Sequence, residues 1–217
     1  MSTATAPHDR KDHDRQRPRE QARTEKVRKL QAEQRHRAHR RRLLWAVAII
    51  AVVGSLTAMM ITALPSSKTT SNAAPNFTLT NTAGQTVGLS QFRGKPVLLY
   101  FSEGAGCDAC QDQMVNIEKN QAAFDKAGVT VLPIVMNPAD EIKPDLARFG
   151  IKTPYLIDSD GSVSKAYDVL GKGMHAGLPG HGFVLIDAQG TQRWQGEYPS
   201  MFLASADLLK EVNGHLQ

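Results

Sequence analysis

The chain has 217 residues, of which 41% are hydrophobic and 22% are charged, and it carries a formal net charge of +5. This composition excludes a chain that is disordered throughout and fits one ordinary domain with additional segments. The positive charge lies at one end, because residues 1–42 hold 14 of the 26 Lys and Arg but only 6 of the 21 Asp and Glu. The remaining residues are slightly acidic, so no nucleic-acid partner is expected.

The N-terminal arm, residues 1–42, is almost free of apolar side chains apart from Val27 and Leu30. Such a segment buries too little surface to offset the conformational entropy that folding would remove. We therefore predict a basic, disordered arm. The positive charge next to the apolar segment that follows predicts that this arm is cytoplasmic.

An uncharged stretch, LLWAVAIIAVVGSLTAMMITAL, occupies residues 43–64. It is long enough to cross the hydrocarbon core as a helix, which needs roughly 20 residues. Three arginines at 40–42 precede it, so the N-terminus is expected inside and the later residues outside. We predict a single-pass anchor in the cytoplasmic membrane, with a cleaved signal peptide as the alternative. The Ser-, Thr- and Asn-rich residues 65–75 are predicted to form a flexible linker.

Residues 76–217 are numerous enough to form one domain with its own core. Its predicted elements are a hairpin at 77–87, a turn at 89–92, a buried strand at 97–101, a helix from the cysteines to Gly128, a strand at 129–135 that Pro133 ends early or bulges, helical pieces before Gly150, a strand at 155–157, a helix at 163–170, a mobile loop at 171–180, a hairpin at 183–194 and a helix at 205–213. The alternation of strands and helices predicts an α/β fold, with a central mixed sheet and helices on both faces.

Cys107 and Cys110 are the only two cysteines in the chain, and they follow the predicted strand at 97–101 and a glycine-containing turn. A helix that starts at this point would lower the pKa of a cysteine thiol, because unpaired backbone N–H groups favour the thiolate. A disulfide across so short a loop would constrain the unfolded chain very little. The pattern therefore favours redox chemistry over a structural crosslink.

Several segments resemble a known group of proteins: FTL at 77–79, LSQFRGKPVLLYF at 89–101, Cys107-x-x-Cys110, and FVLID at 183–187 with Arg193 and Trp194 after it. They are similar to redoxin domains of the thioredoxin-like superfamily. This group includes the peroxiredoxin-like alkyl hydroperoxide reductase/thiol-specific antioxidant proteins and the membrane-anchored TlpA/ResA-like oxidoreductases. The resemblance implies a thioredoxin-like fold over most of residues 75–213 and an enzyme that acts on thiols, disulfides or peroxides.

The two branches of this resemblance assign the attacking thiol differently. Counted from Phe101 as in peroxiredoxins, Cys110 stands at the peroxidatic position and Cys107 replaces the family threonine. Counted as a thioredoxin motif, Cys107 is the exposed nucleophile and Cys110 resolves the mixed disulfide. At or near the position where thioredoxins place a cis-proline beside the disulfide, this chain has His181, where no cis bond is assumed because a non-proline cis bond costs about 3–4 kcal/mol. The bond between Thr153 and Pro154 is the alternative position for the cis-proline.

The preferred prediction is a membrane-anchored, extracytoplasmic thiol–disulfide oxidoreductase with Cys107 and Cys110 as catalytic residues. Glu103 and His181 are candidates for tuning the thiols. A peroxiredoxin-like thiol peroxidase with an antioxidant role is the first alternative. The second alternative is a copper chaperone similar to Sco proteins, although those proteins typically use Cys-x-x-x-Cys. His175 is a candidate metal ligand under this alternative and is otherwise predicted to be a loop residue.

No resident cofactor or metal is expected for this chain. The expected partners are protein disulfide or thiol clients, or peroxide, together with a separate electron donor. The donor is needed because the predicted anchor contains no cysteine that could carry electrons across the membrane.

Overall fold

The computed structural model describes residues 10–62, 64–173 and 175–217, and the chain divides into two compact units at Thr62. The first unit contains one helix, α1 (Arg10–Thr62). Its segment Gln34–Met60 is long and apolar enough to cross a membrane, judged by length and composition alone. Residues 10–42, for which disorder is predicted, belong to this helix, and they are rich in the helix formers Ala, Glu, Gln, Lys and Arg. The first nine residues of the predicted arm lie outside the described residues.

The predicted linker, residues 65–75, is mostly a strand of the second unit. β1 (Ser66–Ala73) runs antiparallel to β8 (Thr191–Glu197). Thr70 Oγ1 also donates a hydrogen bond to the carbonyl oxygen of Gln192 (2.8 Å). The structure differs from the prediction here because an exposed edge strand is held by backbone pairing and needs no apolar side-chain pattern.

Eight strands of the described chain form one mixed sheet in the order β1-β8-β7-β4-β5-β6-β2-β3. The remaining strands are β2 (Thr78–Asn81), β3 (Thr86–Gly88), β4 (Val97–Phe101), β5 (Thr130–Val135), β6 (Leu156–Ile157) and β7 (Gly182–Ile186). The remaining α-helices are α2 (Asp108–Lys119), α3 (Gln121–Lys126), α4 (Ala139–Phe149), α5 (Ser162–Ala166) and α6 (Ser205–Leu216), and a 3-10 turn spans Leu89–Phe92. The central strand β4 is parallel to β5 and antiparallel to β7.

The central strand β4 sends successive side chains to opposite faces of the sheet. Leu98 and Tyr100 belong to the core cluster formed with α2 and α3, whereas Leu99 and Phe101 belong to the cluster formed with α5. All five residues of β4 are buried, as its unbroken apolar sequence predicts. Helices therefore cover both faces, which confirms the predicted α/β sheet.

Two local predictions are wrong. β5 runs through Pro133 without a bulge and stays in register with β4. β6 pairs only with Ile134 and Val135, so Pro133 has no strand on that side to which it would have to donate. The helix predicted at 163–170 ends at Ala166, because Asp168 adopts a φ of 55° that no helix accommodates.

Candidate active site

A turn at residues 102–106 carries the chain from β4 to the cysteines. Gly104 and Gly106 have φ angles of 85° and 83°, which other residues rarely adopt. A Cβ atom at Gly104 would also overlap the side-chain amide oxygen of Asn137, which accepts a hydrogen bond from Ala105 N (2.9 Å). Cys107 N donates to Gly104 O (3.2 Å). The glycines therefore allow the tight bend that brings Cys107 to the start of α2.

Cys107 and Cys110 form a disulfide at the N-terminus of α2, with their Cα atoms 5.2 Å apart. Cys107 is the N-cap residue, and its Sγ accepts a hydrogen bond from Cys110 N (3.2 Å). Cys107 is partly exposed, whereas Cys110 is fully buried. An incoming thiolate therefore meets Cys107 first. After reduction, a thiolate on Cys107 would face the helix N-terminus, which lowers the pKa of a cysteine.

An ion-pair cluster on α4 holds the outer side of the turn. Asp145 accepts a hydrogen bond from Gly106 N (2.8 Å). Arg148 lies 3.0 Å from Asp145 and contacts both carboxylate oxygens of Asp108, at 2.5 and 3.2 Å. The hydrogen bonds from Arg148 hold the pKa of Asp108 below its usual range. Arg148 thereby offsets the negative charge that Asp108 places beside Cys107.

Glu103 is buried in the turn, with 4% of its surface exposed. His175 of the loop at 171–180 contacts its carboxylate twice, through Nδ1 at 2.8 Å and through the backbone N–H at 3.3 Å. This approach requires Gly173, because a Cβ atom there would overlap the Glu103 carboxylate. The side chain of His175 remains 65% exposed and so lies between the buried carboxylate and solvent. The loop that is predicted to be mobile is thus docked on the site in its described residues.

His181 immediately precedes β7 and is buried, with 2% of its surface exposed. Burial lowers the pKa of its imidazole to about 4. Its Nδ1 lies 3.3 Å from Tyr100 Oη, and its Nε2 lies 3.4 Å from Gln113 Oε1. Tyr100 Oη donates a hydrogen bond to Cys110 O (2.9 Å). A chain of polar contacts therefore connects His181 to the backbone of the buried cysteine.

The structure places Glu103, Cys107 and Cys110 on one turn and its helix, and His181 behind Cys110. The bond between Thr153 and Pro154 is trans, as are all other described peptide bonds, so the alternative cis position is wrong. Sequence reasoning missed four residues that complete the surroundings: Tyr100, Gln113, Asp145 and Arg148. One signal was present, since Gln113 lies three residues after Cys110 on the buried helix face that also carries Met114 and Ile117.

Comparison with known proteins identifies relatives for the second unit. Residues 70–195 match the AhpC/TSA family. The chloroplastic peroxiredoxin Q of Triticum aestivum is 31% identical over 120 residues, which cover 55% of each chain. The thiol-disulfide oxidoreductase ResA of Geobacillus kaustophilus is 34% identical over 99 residues, which cover 45% of this chain and 56% of the relative. The chain spans about half the length of these curated relatives.

A solved structure shows the same fold. The reduced 2-Cys peroxiredoxin of Plasmodium vivax matches with a TM-score of 0.58 and 25% identity, covering 68% of this chain and 96% of that chain. Together with the sequence relatives, it confirms the predicted resemblance to redoxins and their thioredoxin-like fold. Peroxiredoxins and a thiol–disulfide oxidoreductase both occur among the relatives, so similarity alone does not separate the two reactions.

Proposed function

The chain belongs to the AhpC/TSA family, and from this premise we propose that it is a thiol–disulfide oxidoreductase that reduces or exchanges disulfides in protein clients. The unequal exposure of the two sulfurs carries the proposal. Cys107 is partly exposed and Cys110 is fully buried. A bulky protein disulfide can reach only the outer sulfur, so Cys107 attacks and Cys110 resolves.

In the proposed cycle, the thiolate of reduced Cys107 attacks one sulfur of the client disulfide, and the other client sulfur leaves as a thiolate. Cys110, one helical turn further along, then attacks Cys107 Sγ. This step reforms the Cys107–Cys110 disulfide and releases the second client sulfur. Two electrons pass to the client, whose two sulfurs end as thiols. A separate dithiol donor reduces the disulfide again by the same exchange in reverse.

Two groups around the turn support this cycle. Arg148 neutralises Asp108 next to the attacking sulfur and so favours the Cys107 thiolate. Glu103 is the candidate for moving a proton to or from Cys110, and His175 links the Glu103 carboxylate to solvent. Neither step needs a metal ion.

A peroxiredoxin-like thiol peroxidase is the second candidate, favoured by the 31% identity to peroxiredoxin Q and by the position of Cys110 relative to Phe101. Here the Cys110 thiolate would break the O–O bond, giving a sulfenic acid on Cys110 and an alcohol or water. Cys107 would then condense with the sulfenic acid, giving the disulfide and water. The full burial of Cys110 in the disulfide form counts against direct access of peroxide.

The copper-chaperone alternative has less support. Both ring nitrogens of His181 face other side chains, those of Tyr100 and Gln113. Within the described residues, no group of three His, Cys, Asp or Glu side chains is arranged to hold a metal ion.

The proposed location is the outer face of the cytoplasmic membrane, with residues 43–64 as a single anchor, most of which lies within the candidate span Gln34–Met60. The uncharged sequence of residues 43–64 and the arginines at 40–42 that precede it support this topology. A membrane-impermeant maleimide, applied to intact cells after mild reduction, is expected to label Cys107. Labelling that occurs only after lysis would contradict the topology, and a Cys107→Ser chain is the control for background.

The reaction is tested with Cys107→Ser and Cys110→Ser in the full chain, with the double variant as control. Cys110→Ser is expected to accumulate mixed disulfides with protein clients, because Cys107 still attacks and nothing resolves it. Cys107→Ser and the double variant are expected to accumulate none. If instead peroxide is consumed in a single turnover that survives Cys107→Ser, and no client is trapped, the peroxidase replaces the oxidoreductase.

A further inference from the structure

The side-chain amide of Gln113 has a fixed orientation. Its Oε1 accepts a hydrogen bond from Leu203 N (2.6 Å), and its Nε2 donates to Leu203 O (3.0 Å). The same Oε1 faces His181 Nε2 at 3.4 Å. Because Oε1 can only accept, Nε2 of His181 must carry the hydrogen.

Tyr100 then has one hydroxyl hydrogen for two acceptors. Burial raises the pKa of Tyr100 well above its usual range, so the phenol keeps its hydrogen. With a neutral His181 whose hydrogen is on Nε2, the acceptors are Cys110 O at 2.9 Å and His181 Nδ1 at 3.3 Å. If His181 gains a proton, Nδ1 becomes a donor to Tyr100 Oη, and Tyr100 donates to Cys110 O without competition. Among Gln113, His181 and Tyr100, the protonated imidazole lets both ring nitrogens donate and leaves the Tyr100 hydrogen to Cys110 O.

The geometry points to a redox-linked proton site: His181 takes up one proton when the Cys107–Cys110 disulfide is reduced, with Tyr100 as the positioning residue that connects it to Cys110. The inference deepens the proposed function and rests on reduction of this disulfide. In the oxidised form burial keeps His181 neutral, consistent with its pKa of about 4. Reduction places a negative charge at the N-terminus of α2, and a nearby negative charge favours the cationic imidazole.

The step balances in electrons and protons. A dithiol donor forms its own disulfide and passes two electrons to the Cys107–Cys110 bond, which breaks. The donor loses two protons. The first binds to Cys110, whereas Cys107 stays a thiolate and does not bind the second. At a pH between the midpoints of His181 in the oxidised and reduced forms, His181 takes up the second proton and the reduced site stays neutral. Above both midpoints that proton goes to solvent.

Ionisable groups lie on each element around His181. They include Tyr100 on β4, Cys107, Cys110 and the Arg148-paired Asp108 at the start of α2, Glu197 and Tyr198 at the end of β8, and Lys172, Glu103 and His175 in or beside the loop that leads to it. Burial raises the pKa of Glu197, which makes this carboxyl a poorer source of negative charge in the oxidised form. The new charge on reduction is therefore that of the cysteine pair.

The test is an NMR titration of the histidine rings in the full chain in detergent micelles, with and without dithiothreitol as the dithiol. The signal of His181 is identified by its loss in His181→Gln. Reduction is expected to raise the His181 midpoint by about one pH unit or more, the usual size of an opposite-charge effect. An unchanged midpoint in the wild-type chain would overturn the inference without any further variant.

A matched pair of tyrosine variants tests the relay itself. Tyr100→Phe removes the hydroxyl that joins His181 to Cys110, and the redox-linked change in midpoint is expected to fall by half or more. Tyr167→Phe is the control, because Tyr167 is also buried and its hydroxyl donates to a backbone carbonyl, that of Pro75 (2.7 Å), in the other core cluster. Equal losses in both variants would remove Tyr100 from the relay. Dithiothreitol reduces the disulfide whether the natural substrate is a client or a peroxide, so failure of the exchange assay and absence of this shift are separate results.

Discussion

Acidification is expected to destabilise the fold through His181. The free energy of unfolding should fall with pH because His181 is buried as a neutral imidazole. The pKa of His181 is lowered from 6.5 to about 4 by burial in the folded chain. Between these values the unfolded chain binds a proton that the folded chain does not. The stabilisation is therefore complete above the unfolded pKa and is lost as the pH falls from about 6.5 towards about 4.

The magnitude follows from the same two pKa values. Each pH unit between them is worth about 1.4 kcal/mol, so the full loss below pH 4 is about 3 kcal/mol. Most of this loss of stability falls between pH 7 and pH 5, where the free energy of unfolding should decrease by about 2 kcal/mol. For a domain of ordinary stability, 5–15 kcal/mol by the general rule, that is a measurable fraction.

The assay is urea unfolding of the full chain in detergent micelles at pH 7, 6 and 5, followed by the fluorescence of buried Trp194. The chain contains two tryptophans, so a Trp45→Phe background removes the other signal. His181→Gln is the reference, because carboxylates such as Asp187 titrate equally in both chains and cancel in the difference. If the wild type and His181→Gln lose the same stability between pH 7 and pH 5, the burial argument is refuted.

Two further predictions concern the exposed side of the site. Gly173→Ala should undock the loop from Glu103 at a cost of about 1–3 kcal/mol. Hydrogen exchange of the amides at 171–180 should then be about fivefold faster or more. Gly177→Ala is the control, because no atom lies within 4 Å of its Cβ and exchange should stay unchanged. Equal exchange in both variants would contradict the docking. Arg148→Met should slow alkylation of reduced Cys107 by iodoacetamide at pH 6 about two- to fivefold, because the negative charge of Asp108 is then unpaired. Addition of 0.5 M salt should reduce that difference in rate. Lys126→Met on α3 is the control, and an unchanged or faster rate in Arg148→Met would refute the role of Arg148.

The central part of the fold could be predicted because its signals are local. The apolar run of β4, the glycines of the turn and the spacing of Cys107 and Cys110 each specify a conformation over a few residues. β1 could not be predicted, because its sequence, SSKTTSNA, is polar apart from Ala73 and it is a strand only because it pairs with β8, more than a hundred residues later. Pro133 misled for a related reason, since β6 does not extend as far as Pro133, and this is a property of the sheet and not of β5.

The candidate site divides in the same way. Cys107, Cys110 and Glu103 adjoin one another in sequence, so a motif could select them. Tyr100 reads as one more apolar residue of a buried strand, and its hydroxyl gains a role only when Cys110 O and His181 Nδ1 lie on either side of it. Arg148 belongs to a helix whose packing against α2 no local pattern specifies. Long-range geometry, rather than residue type, determines these contacts.

The two sides of the disulfide respond to different conditions. On the outer side, the side chains of Asp108 and Arg148 are 63% and 50% exposed, so dissolved salt screens their interaction and with it the charge felt by Cys107. On the inner side, Tyr100 and His181 are buried, so salt reaches them poorly while a proton changes the hydrogen bond that Cys110 O receives. Ionic strength should therefore act on the attack by Cys107 and little on the surroundings of Cys110, whereas a fall in pH acts on both, through protonation of the Cys107 thiolate and of His181. In a site with equivalent cysteines, salt would act on both sulfurs.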